Sequence, residues 1–214
     1  MTQPHHLFAK LRRRHSQPNT GPFGLAWLLL CACLLPASPA MADFTHSVAA
    51  DSGLETWQWT DGNSSFTFNQ RLPDQARAFF LARGFTSEQS EPIAQNCFFQ
   101  IVIRNLASNS KAMTLDLEQW QVIEKDGATH PPRLEQAWQQ QWQAMGVKKA
   151  ARIAFRWALF PSRQSFQPGD WNMGLITMGV RPGKLFDLII NWEEQDRPRK
   201  IRLTDMRCSP DRSL

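Results

Sequence analysis

The sequence contains no tyrosine, and histidine is scarce: of five residues, three fall within the first 15 positions, leaving only His46 and His130 beyond them. Nucleophilic catalysis relies on a base beside the nucleophile, most often histidine. His46 lies close to the start of the folded part, and His130 precedes Pro131 in an expected turn. Neither stands near a serine in a nucleophile-elbow context, and no G-x-S-x-G occurs. No C-x-x-C pair occurs either, so the usual spacing of a redox or zinc site is missing. A non-enzymatic protein without a cofactor is the expectation from these gaps.

Long apolar runs are lacking too. The longest, residues 23–35, has 13 residues and is broken by Pro36, whereas a helix crossing a bilayer needs about 20. Acidic residues are absent from positions 1–42, which hold Lys10, Arg12, Arg13 and Arg14 ahead of that run, and small residues after it lead to Ala40-Met41-Ala42. Basic segment, short apolar segment and A-x-A site, in that order, predict a secretion signal over residues 1–42, cut before Asp43. An uncleaved anchor is one alternative. Lipidation at Cys33 is another, although Cys31 and the following Leu34-Leu35 fit that motif poorly. The format is bacterial and predicts a periplasmic or secreted protein, with membrane contact confined to the leader.

The formal charge of +5 is carried largely by the leader. Beyond residue 42 there remain 20 basic against 19 acidic residues. A near-neutral chain lacks the basic footprint that phosphate binding requires, which excludes nucleic acid as an expected partner. Residues 43–214 are long enough for one domain with its own core.

Two of the four cysteines leave with the signal, and Cys97 and Cys208 remain. In an oxidising compartment such a pair predicts one disulfide. Cys97 precedes an apolar strand and Cys208 follows the last one, as if the final strand lay beside an early central strand with its end against that strand's start.

What the chain does contain is β-pattern. Residues 54–59 and 65–68 alternate around Asp61-Gly62 and predict a hairpin with its aromatic residues on one face. Residues 97–105 read as a nearly continuous apolar central strand, and residues 113–125 as a strand with a bulge. Residues 151–160, 170–178, 184–192 and 200–207 read as further strands, with a polar connection over 193–199. Pro73 and Gly84 bound a short helix with Ala76, Phe79 and Phe80 inward. Leu134, Trp138, Trp142 and Met145 form one helical stripe over residues 133–145, and residues 85–96 read as a polar loop. The expected fold is mainly β, an antiparallel two-sheet sandwich, immunoglobulin-like in the loose sense, with two short helical insertions. A partly closed barrel is the alternative. The likeness to secreted immunoglobulin-like domains is one of element order alone and assigns no functional residue.

Candidate sites are few. Glycoside hydrolysis uses paired carboxylates; Asp116 and Glu118 share one strand face, expected to be the solvent one, whereas the adjacent Glu193 and Glu194 would face opposite ways in a strand, so a hydrolase is a less favoured reading. Met173, Met178 and Met206 could serve soft copper, the less favoured reading. Eight tryptophans remain after Trp27, enough to fill a core or to supply stacking and contact surfaces. Trp138 and Trp142, on a helix crowded with glutamines, and Trp171, in the glycine-rich stretch 166–174, are the binding candidates. They predict a domain acting through contacts with another envelope protein, or alternatively a glycan-binding module.

Overall fold

A computed structural model describes residues 42–108 and 112–211, so that, Ala42 aside, the expected leader and its Cys33 lie outside the described residues. Among these the chain runs β1 (Asp43–Val48), β2 (Glu55–Thr60), β3 (Ser64–Gln70), α1 (Pro73–Leu81), α2 (Ser87–Ala94), β4 (Phe98–Asn105), β5 (Met113–Asp116), β6 (Gln121–Glu124), β7 (Thr129–His130), α3 (Glu135–Ala144), α4 (Lys149–Ala158), β8 (Arg163–Phe166), β9 (Trp171–Thr177), β10 (Leu185–Glu194) and β11 (Arg197–Arg207). One sheet has the order β1-β2-β3-β4-β9. In the other, β10 pairs with β11 along one edge and with β5 and β6, end to end, along the other, while β8 and β7 flank β5 and β6. All pairings between these strands are antiparallel, and neither sheet closes into a barrel. The expected two-sheet sandwich is what forms.

The predicted hairpin is present, with Trp57 opposite Phe68 and Trp59 opposite Phe66. These rings meet Phe99, Trp120, Phe186 and Trp192 between the sheets. The break expected within residues 113–125 is a 3-10 turn, Leu117–Gln119, that steps the chain from β5 to β6. The apolar continuity of β4 has a physical cause in its two covered faces. Phe99 points between the sheets, whereas the adjacent Phe98 points outward under the helices, beside Phe80, Trp138, Trp142 and Phe155. A helical layer thus covers part of the first sheet, giving three layers and two cores.

Four expectations are corrected. Residues 151–160 form α4 rather than a strand. Their inward positions are Ala151 and Phe155, spaced four apart, and the chain straightens only at Leu159, which bridges to Leu175 on β9. Residues 85–96 contain α2, started by a capping box in which the Thr86 hydroxyl accepts from the Gln89 amide. The polar connection 193–199 shrinks to a tight hairpin turn at Gln195 and Asp196, both with positive φ, between long strands β10 and β11. Strands β1, β7 and β8 were not anticipated, and the described residues hold four helices rather than two.

Cys97 and Cys208 form the disulfide, with Cα atoms 5.0 Å apart. It does not join neighbours within one sheet: Cys97 leads into β4 of the first sheet, and Cys208 follows β11 of the second. The reason is the 178–184 connection that crosses from β9 to β10. Cys97 exchanges backbone bonds with Met178 and Val180, Cys208 with Gly183 and Lys184, so the crossing brings both sulfurs to one place. Gly174 serves close approach, since a Cβ there would lie 2.6 Å from the Phe160 backbone, while Gly169 supplies positive φ in the turn before β9.

Charged clusters tie the edges down. Arg77 on α1 binds Glu91 on α2 and Asp211 in the C-terminal segment, and these carboxylates raise its pKa while Arg77 lowers that of Glu91. Asp187 on β10 is a sharper case. Burial alone would raise its carboxyl, yet hydrogen bonds from Lys125, the Asp205 amide and Arg202 bring it to about 2, against 3.8 ordinarily. A depressed carboxyl stabilises the fold fully above its unfolded value and progressively less as pH falls toward the folded one. Asp187→Asn is therefore expected to cost about 2 kcal/mol at neutral pH. Denaturant titrations at stepped pH should show that the loss of stability between pH 4 and 2 is shallower in this variant than in the wild type.

Candidate functional site

The strand registers build a surface that no single segment announces. On the outer face of the second sheet, Ser165 of β8 lies opposite Thr114 of β5, Thr114 opposite Glu193 of β10, and Glu193 opposite Pro198 of β11. A second row holds Asp116 opposite Arg163 and Asn191 opposite Lys200. Gln119, lifted by the 3-10 turn, forms a wall, and its carbonyl accepts a bond from the Asn191 amide at 2.5 Å. Together these residues line a groove of about 860 Å³. The Thr114 and Ser165 hydroxyls meet at 3.2 Å on its floor, and Asp116 pairs with Arg163 at 2.9 Å. Most of the residues that line it carry hydroxyl, amide or charged side chains, three basic and two acidic among them, and neither histidine nor cysteine contributes.

The sequence-predicted residues fall elsewhere. Trp138 and Trp142 are wholly buried, stacked at 4.9 Å in the core beneath the helices, with the Trp138 indole N–H donating to Thr177 Oγ1 at 2.9 Å. They cap the sandwich and present no surface, because the stripe that carries them turns toward the sheet. Trp171 is half exposed, with the Arg104 guanidinium over its ring and the exposed Met173 two residues along the strand. Of the eight tryptophans, only Trp157 and Trp171 are exposed; the other six fill the two cores.

Of the two carboxylate pairs, one stays together and the other separates. Asp116 and Glu118 both face Arg163, at 2.9 and 3.7 Å, and Leu115 and Leu117 point inward as expected. Glu193 lines the groove, whereas Glu194 turns into the sandwich toward Arg199, 3.5 Å away. Met173 is exposed while Met178 is buried, so the two point apart. His46 is part of β1, where it stacks on Trp57 and bonds Glu55 at 2.7 Å. His130 stands in β7, its Nδ1 donating to the Pro131 carbonyl at 2.8 Å. Among the described residues no group of three or more histidine, cysteine or carboxylate side chains could hold a metal ion.

Comparison with family models, with curated proteins and with solved structures finds no match.

Proposed function

We propose that the chain is an exported, non-catalytic binding module of the cell envelope, immunoglobulin-like in the loose sense of two facing antiparallel sheets. Its partner is another envelope protein, an extended segment of which lies in the groove of the second sheet. The groove carries this reading. Its lining offers hydrogen-bond donors and acceptors in two rows, which suits a polypeptide backbone, without a base poised on a nucleophile. The disulfide supports an oxidising compartment, and the leader pattern supports export to the periplasm or beyond. A glycan would call for an exposed ring to stack on. Trp157 and Trp171 lie outside the lining, and the Trp192 ring is only 3% exposed.

Filling the groove tests the proposal. Thr114→Trp keeps a strand-favouring residue at an exposed position and blocks the centre of the lining. A photo-crosslinker at Ser165 should give a discrete envelope-protein adduct in the wild type and at least about tenfold less in this variant, as loss of a central contact implies. Equal adduct yield in the two proteins would reject the groove as the contact surface.

A further inference from the structure

Helix α4 carries a surface that the two cores leave unused. At 3.6 residues per turn, Ala151, Ala154, Phe155 and Ala158 share one side of it, and Ala151 and Phe155 are sealed in the core beneath the helices. The opposite side gathers Lys149, Arg152, Ile153, Arg156 and Trp157, with Lys148 at the helix start. Trp157 is 80% exposed and Ile153 41%. Residues 148–157 contain four cations and no acid. None of these four side chains forms an ion pair or a hydrogen bond among the described residues.

A solvated helix face is ordinarily polar throughout. Here an indole and a branched aliphatic side chain stand out from water beside a block of unpaired positive charge, although the charges of residues 43–214 nearly balance overall. We propose that this face of α4 docks on an anionic phospholipid surface, the helix lying in the plane of the interface. Trp157 and Ile153 enter the headgroup layer, where indole rings are favoured, and Lys148, Lys149, Arg152 and Arg156 meet the lipid charge around them. The face is one convex helix with no groove of its own, and its cations are spread along it. That arrangement suits a fluid layer of charge better than a folded acidic partner with fixed positions. Membrane contact would thus extend beyond the leader, to which it was expected to be confined. The groove lies on the other side of the sandwich, so a docked module keeps it open.

Flotation of the full chain with vesicles of phosphatidylcholine and phosphatidylglycerol, 3:1, against phosphatidylcholine alone tests this. The wild type, Trp157→Ala, and the triple variant Lys148→Gln, Lys149→Gln, Arg156→Gln are compared. Any contribution of the leader is common to all three, and the altered side chains are exposed, so a thermal melt verifies that the fold is unchanged. Wild-type partitioning onto anionic vesicles should exceed that onto neutral ones and weaken with salt. The triple variant should lose about a hundredfold, at about fivefold per charge, and Trp157→Ala at least about fivefold. Equal partitioning of wild type and triple variant overturns the proposal. So does binding of the wild type to polyglutamate without binding to anionic vesicles, which would assign the face to an acidic protein.

Discussion

Replacing Cys97 and Cys208 together by alanine is expected to lower the stability of the fold by about 3–4 kcal/mol. The bridge closes a loop across a sequence separation of 111 residues, for which the chain-entropy treatment allows about 4.7 kcal/mol before native strain is subtracted. Its placement argues for the upper part of the range. The bond joins the start of β4 to the end of β11, so it holds the two sheets together at the point where the chain crosses between them. Both cysteines are buried, and alanine adds no unpaired polar group there. Urea titration should show the midpoint falling in the double variant. Dithiothreitol should move the wild type to the same place and leave the variant where it is.

Trp138→Ala is expected to cost about 3–5 kcal/mol, the range for deleting a fully buried large aromatic side chain. It removes the ring that stacks on Trp142 and also lies beneath the Arg133 guanidinium, 3.9 Å from its centroid. It also takes away the indole N–H that donates to Thr177. Trp171→Ala, at a half-exposed position, should change stability by no more than about 0.5 kcal/mol. Thermal melts of the two variants check both figures. The contrast separates a capping residue from a surface residue among tryptophans that look alike in the sequence.

That ambiguity marks the limit of what was legible. A stripe at 134, 138, 142 and 145 says that one helix face is covered, not whether the sheet below or a partner outside covers it. The same limit explains α4. Ile153, Phe155, Trp157 and Leu159 alternate and imitate a strand, while the true inward face is carried by the small residues Ala151 and Ala158 around Phe155. Alanine is too weakly apolar to outvote four large side chains in a pattern argument, and so the basic aromatic face was hidden inside a supposed strand. Helix α2 has a start signal in the Thr86–Gln89 capping box, but its residues are mostly polar and Pro92 lies within it, so the segment reads as a loop. Strand β1 is exposed at every position and carries no alternation to read. By contrast, the 57/59 and 66/68 aromatic pairs, the strand after Cys97 and the cysteine pair were legible because each repeats a rule of covalent or strand geometry. The groove was not, since its lining comes from β5, β8, β10 and β11 and exists only once those strands are in register.

The account rests on export followed by oxidation, and one measurement reaches both. Protein recovered from intact cells without reductant, treated with a thiol-alkylating reagent and weighed by mass spectrometry, should begin at Asp43 and carry no alkyl group. Reduction before treatment should then add two. A chain that keeps its first 42 residues and takes up reagent at Cys97 and Cys208 without reduction would contradict it.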